Sequence, residues 1–347
     1  MRLFNIILLR GLNMILVLFG TVFLTIVLFG SSLDKVLLEN VRVQVVDEVN
    51  EKQLKFQNPV DRQAYLENEI KQRTDTLGLS EEWYSPTKLF SRLTSTLTLD
   101  LGKSHFFTTD QGSSNVRDII FEKTPKTLLL FTTATMLALF VGILFGTFVA
   151  GRINSFPDKI SSVFAIFSVS FPSWYIAMLM IFAFAFTLHI FPARATPITS
   201  PQDPTYPFDL AYHMLLPLIT ITLVSFGSMT FIVRYFLLNI LKEDYIIAKR
   251  IIGIPKKKIL YSHALRNAAP PIVTVVALGL AASFGGSIIV EAVFDWPGMG
   301  KLYYDAIGLL DFPVIIGLTY ISTLIFIIAV FIIDISYTFL DPRVKVF

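Results

Sequence analysis

The only strongly basic segment between two long apolar runs lies between Glu243 and Pro271. Lys249, Arg250, Lys256, Lys257, Lys258 and Arg266 stand there against Glu243 and Asp244. No nucleophile is paired with a base in a recognisable motif, so the chemistry on offer is electrostatic recognition. Tyr245, Ala248 and Ile252 fall at helical spacing, as do Ile259, His263 and Asn267, which predicts two short helices. Gly253 suits the left-handed residue that ends the first, and Pro255 the opening turn of the second. A basic elbow of this kind either rests on anionic lipid or docks into a partner. Elsewhere, Gly298-Met299-Gly300-Lys301 lacks the G-x-x-x-x-G-K-[ST] spacing of a phosphate-binding loop. The chain has no cysteine and four scattered histidines, which excludes disulfides and thiolate chemistry and argues against a metal centre.

The elements around the elbow must lie in a membrane. Of 347 residues 54% are hydrophobic and 32 are Phe, and the net charge of +3 is too small and too scattered for nucleic acid. Six apolar runs reach the roughly 20 residues that a bilayer requires. They lie near 10–30, 126–150, 161–187, 212–238, 270–290 and 313–338, which predicts an all-α polytopic membrane protein with six transmembrane helices. The first follows Arg2 and Arg10 without a small-residue cleavage site and reads as an uncleaved signal-anchor. Segments 1–10, 151–160, 239–269 and 341–347 hold thirteen Lys and Arg against four acids, whereas loops 188–211 and 292–312 hold two against five. That asymmetry predicts cytoplasmic termini and a cytoplasmic elbow.

Three regions are therefore expected: an N-terminus with its first helix (1–30), an external, mostly helical segment (31–125), and a five-helix core (126–347). The core carries the elbow at 243–267 and an external loop at 291–312. Gly142, Gly146 and Gly151 allow close helix approach at the end of the second span. Pro172 in SFPSWY should kink the third. Pro217 and Gly227 should interrupt the fourth, with Arg234 snorkelling to the interface. Gly279 to Ser287, including Gly285 and Gly286, gives the fifth span a small-residue face suited to tight packing or to a pore. Pro297-Gly298 favours a tight turn. The chain there either dips back into the membrane as a covered scoop or simply turns between spans.

The residue order narrows these alternatives. Tyr245, Gly253, the run His263-Ala264-Leu265-Arg266-Asn267-Ala268 and Pro271 resemble the cytoplasmic coupling loop of ABC-importer permeases of the dipeptide/oligopeptide/nickel family. Asp100-Leu101-Gly102 and Ser104 match that family's Gly-Asp-Leu-Gly-x-Ser run, with Leu99 where a glycine is usual. Glu291, Val293, Phe294, Pro297, Gly298, Gly300 and Leu302 match its Glu-x-Val-Phe-x-x-Pro-Gly-x-Gly-x-Leu. Asp311-Phe312-Pro313 and Asp341-Pro342-Arg343 match as well. The resemblance covers about residue 77 to the end.

That resemblance implies a permease subunit, not an enzyme, in the plasma membrane of a prokaryote. It implies a second homologous permease as heterodimer partner, two ATP-binding cassette subunits that carry the ATP and Mg, and an external binding protein. Asp244, Tyr245, Ala248, Arg250, Gly253, His263, Arg266 and Asn267 would couple to the ATPase. Pro172, Gly285, Gly286, Glu291, Phe294, Pro297, Gly298 and Gly300 would line the path or its scoop. Short peptides, oligosaccharides and nickel complexes all remain open as cargo. An ion-coupled secondary transporter is the rival class, and spans almost free of ionisable residues count against it.

Overall fold

A computed structural model describes the backbone of residues 2–51 and 58–340, and the side chains of 8–51 and 58–335. The Asp341-Pro342-Arg343 motif lies outside the described residues. Among the described residues thirteen α-helical stretches run in the order α1 (Arg2–Glu51), α2 (Pro59–Thr76), α3 (Pro86–Leu97), α4 (Val116–Ala150), α5 (Phe156–Ser170), α6 (Ser173–Met180), α7 (Tyr206–Ile240), α8 (Asp244–Ile251), α9 (Lys256–Lys258), α10 (Leu265–Ser283), α11 (Ile288–Phe294), α12 (Met299–Leu309) and α13 (Phe312–Leu340). Wider π-helical turns follow α6 (Ile181–Thr187) and α9 (Ile259–Ala264). Among the described residues five helices are long and apolar enough to cross a membrane, six with the bent pair Phe156–Ser170 and Ser173–Thr187 taken as one span, in line with the six expected.

The chain forms two compact units, one of Met1–Phe121 with Ala306–Thr323, the other of Glu122–Asp305 with Leu324–Phe347. In the first, α1 does not stop near residue 30. Its 50 residues make about 75 Å of helix, far more than a bilayer is thick. Val22, Ile26, Leu33, Val41, Val45 and Val49 form one buried stripe along it, so packing carries the helix past the end of its apolar run. Beyond that run α2 and α3 pack against it. Asp34 pairs with Lys88 at 2.5 Å and with Arg92, and Arg73 reaches both carboxylate oxygens of Glu48 at 2.9 Å. Two matched motifs also meet here. Ser104 donates to buried Asp311 at 2.6 Å, which fastens the loop after α3 to the start of α13.

In the second unit the glycines decide how closely helices approach. A Cβ on Gly142 would come within 2.7 Å of Met229, one on Gly146 within 2.8 Å of the Thr230 carbonyl, and one on Gly151 within 2.8 Å of Leu260. The close packing expected of them is present. The kink expected at Pro172 is present as a 106° bend, because Pro172 is extended and caps a new helix. Three expectations need correction. Helix α7 runs unbroken through Pro217 and Gly227, and Gly227 is where Phe164 and Ser168 press against it. Arg234 does not snorkel but is engaged by buried Asp158, at 3.0 Å for one of its two bonds. The fifth span ends at Ser283, leaving Gly285 and Gly286 in the turn before α11 instead of on a helix face.

Candidate functional site

The elbow is built as its sequence requires. Helix α8 opens at Glu243 and Asp244 and closes on Lys249 and Arg250, charges of the sign that its dipole favours at each end. Its last carbonyls are then satisfied by the two bonds of a Schellman cap. The Gly253 amide donates to the Arg250 carbonyl and the Ile254 amide to the Lys249 carbonyl, each at 3.1 Å. Gly253 has φ +84, the left-handed conformation the cap needs, and open space around it. Pro255 occupies the cap position of the next helical segment, one residue before its first turn.

Side chains tie the two arms across this bend. Asn267 donates to the Tyr245 hydroxyl at 2.5 Å, and Lys249 meets His263 at 2.9 Å while lying over the Tyr245 ring. Tyr245, His263 and Asn267 are thus brought together. Asp244, Ala248 and Arg266 stand exposed, and Arg250 reaches only the Leu241 carbonyl at 3.4 Å. Ile246, Ile259, Leu260, Ala264 and Ala268 are buried and hold the elbow to the helices beneath. The outer face is apolar in part. Ile251 and Ile252 are 79% and 73% exposed. Ile252 had no place among the expected coupling residues, yet its position was readable. Five and six residues on from buried Ile246, these isoleucines turn to the opposite side of α8.

The loop after the fifth span is the reverse case. Ser287 caps α11, Asp295 ends it in the left-handed region at φ 57, and α12 begins at Met299. Glu291 is fully buried beneath this break. Its Oε2 accepts from the Gly300 amide at 2.9 Å and the Lys301 amide at 3.3 Å, and its Oε1 from the Thr127 hydroxyl at 3.1 Å. The Thr127 hydroxyl itself accepts from the Met299 amide at 2.7 Å. One carboxylate and one hydroxyl therefore satisfy the otherwise unpaired amides that open α12. Burial pushes the Glu291 carboxyl up to about 7, against the pull of these donors.

The glycines follow from that carboxylate. A Cβ on Gly298 would lie 2.2 Å from Glu291 Oε2 and 2.4 Å from Thr127 Oγ1, and one on Gly300 2.9 Å from Glu291 Cδ. On Gly286 it would lie 2.8 Å from Glu291 Oε1. Gly285 is exposed and uncrowded. Phe294 and Trp296 are buried in one apolar cluster with Leu130 and Ala177, and the Trp296 indole donates to the Lys126 carbonyl at 3.0 Å. Pro297 is half-buried in the break itself. Exposed Pro172 enters by starting α6, which packs on α11. Thr127 and Trp296 had no part in the sequence reading, and a lone threonine at the head of an apolar run gives no sign of its partner. Among the described residues no group of His, Cys, Asp and Glu could hold a metal ion.

Membrane-spanning helices together with a basic elbow and a loop closed over a buried carboxylate define a polytopic helical membrane protein. The chain belongs to the family described as binding-protein-dependent transport system inner membrane component, whose model matches residues 142–346. It is 32% identical over 242 residues to the oligopeptide transport system permease protein AppB of Bacillus subtilis, covering 68% of this chain and 76% of that one. To the dipeptide permease protein DppB of the same organism it is 34% identical over 253 residues, 73% and 77% of the two chains. The glutathione permease protein GsiC of Escherichia coli K12 is 31% identical over 230 residues, 66% and 71%. The chain is thus a permease component of an importer, and the resemblance read from its motifs holds.

Proposed function

We propose that the chain forms half of the translocation path of a peptide importer and is driven through the elbow at 243–267. Support for the cargo comes from the relatives, whose names specify oligopeptide, dipeptide and glutathione transport. Support for the drive comes from the exposed Ile251-Ile252 pair on a basic helix whose bend is held by bonds to the next arm. In this reading a second, homologous permease completes a heterodimer and each permease docks one ATP-binding cassette subunit. ATP and Mg are bound by those subunits, and an external binding protein delivers the peptide. Both termini and the elbow face the cytoplasm. The chain catalyses no reaction. Closure of the ATPases pushes on Tyr245, Ala248 and Arg266, and the buried side of the elbow passes the displacement to α7 and α10.

The absence of cysteine makes the test clean, because Ala248→Cys introduces a unique thiol. A bifunctional cross-linker on it is expected to capture an ATP-binding subunit in native membranes, with a yield that changes when nucleotide is added. Capture of lipid alone would overturn the docking reading. Peptide uptake by the assembled complex tests the cargo separately.

A further inference from the structure

No charged residue lies between Arg10 and Asp34, about 35 Å of helix, so the ion cluster of Asp34, Lys88 and Arg92 marks where α1 leaves the hydrocarbon. A cavity of about 350 Å³ opens at that level. One wall is apolar, supplied by Ile26, Leu33 and Leu37 of α1 with Ile316 of α13. The other carries Arg92, Lys103 and His105, with Asp100 as its one acid. Asp34 is already shared by Lys88 and Arg92, and Lys103 has no ion-pair partner among the described residues. Trp83 lies against Gly30 beside this opening, with exposed Tyr84 next to it, the residue types that favour a membrane–water boundary. The cavity thus pairs an apolar slot at membrane depth with a cationic mouth at the surface.

We propose that this cavity holds one acidic phospholipid, its phosphate at Lys103 and Arg92 and an acyl chain along Ile26, Leu33 and Ile316. Charge selects the occupant. A zwitterionic lipid brings its own cation to a mouth that already has an excess, whereas phosphatidylglycerol brings none. Free phosphate would satisfy the mouth but leave the apolar wall bare.

The test is native mass spectrometry of the full chain released from micelles doped equally with phosphatidylglycerol and phosphatidylcholine. One phosphatidylglycerol is expected to be retained in preference. Lys103→Gln, and Ser91→Glu on the exposed rim, should each weaken that retention about fivefold, the effect of one charge at a membrane surface. Lys71→Gln, an exposed lysine on α2 away from the cavity, should leave it unchanged, and excess inorganic phosphate should not displace the lipid. Equal retention of the two lipids, unaltered retention in both rim variants, or displacement by phosphate would overturn the proposal.

Discussion

The elbow and the loop beneath α12 both depend on glycine, for opposite physical reasons. Gly253 has open space around it and a left-handed backbone. Gly298 and Gly300 have no such φ but are crowded by Glu291, Thr127 and the Ser287 carbonyl. At the first, an added Cβ costs conformational strain. At the second it costs space inside a polar core. The elbow is correspondingly open, with isoleucines turned outward, while the loop under α12 is closed on itself with the Met299, Gly300 and Lys301 amides satisfied. One leaves a pair of apolar side chains in the open. The other buries a carboxylate beneath its own backbone.

The largest effect expected from breaking this contrast is at Gly298. Gly298→Ala places a methyl group into the Glu291 carboxylate, so either the carboxylate or the start of α12 must move. Overpacking and the loss of buried hydrogen bonds together should cost about 3 kcal/mol or more. Folded yield and thermal stability in detergent should both fall, and transport with them. A variant with wild-type stability would show that the carboxylate can shift freely.

Glu291→Gln comes next. The amide keeps the shape but must turn a donor either toward the Gly300 and Lys301 amides or toward Thr127, at a cost of about 1–3 kcal/mol. Its pH signature is more specific. Burial raises the carboxyl from 4.5 to about 7. Its contribution to stability is therefore full below pH 4.5 and is lost as pH rises through 7. Unfolding measured from pH 4 to 8 should show that decline in the wild type, and Glu291→Gln should remove it. An unchanged slope in the variant would assign the decline to another group.

These two regions were not equally legible in the sequence. The elbow is local. Helical spacing, a glycine and a proline at the right offsets, and charges matched to the helix dipole are all read within 25 residues. The outward turn of Ile251 and Ile252 is readable from the same spacing, although neither stands among the expected coupling residues. The loop under α12 depends on contacts across 164 to 172 positions, from Thr127 to Glu291 and to Met299. The sequence showed its motif but not that a buried carboxylate is what excludes side chains from Gly298 and Gly300. Span number was legible because hydrophobicity alone sets it. The ends of α1 and α10 were not, since α1 continues on the packing of Val41, Val45 and Val49. At Pro172 a lost amide was evident, but the 106° bend depends on the packing of α6 against α7 and α11.

At the elbow the expected effect on stability is smaller and the effect on function larger. Gly253→Val strains the Schellman cap by roughly 1 kcal/mol or more without meeting any neighbour. The complex should still assemble, as judged by co-purification of its subunits, while ATP-driven uptake falls. That dissociation separates the two glycine types, because Gly298→Ala should lose both together. Full uptake by Gly253→Val would mean that the bend is not what transmits the push.

The smallest effect sharpens the same point at a third cap. Helix α3 ends in the same pair of bonds as α8, from the Leu99 amide to the Thr96 carbonyl and from the Asp100 amide to the Ser95 carbonyl. Here the left-handed residue is Leu99, at φ 63, the position at which the resembling motif has glycine. Leucine carries about 1–2 kcal/mol of strain in that conformation, and glycine returns part of the gain as entropy of the unfolded chain. Leu99→Gly should therefore stabilise the cap by about 0.5 kcal/mol, slowing hydrogen exchange of the Leu99 and Asp100 amides about twofold. The half-buried leucine side chain works against this gain. Faster exchange in the variant would show that its packing outweighs the backbone strain, and that this chain keeps leucine there for contact despite the turn.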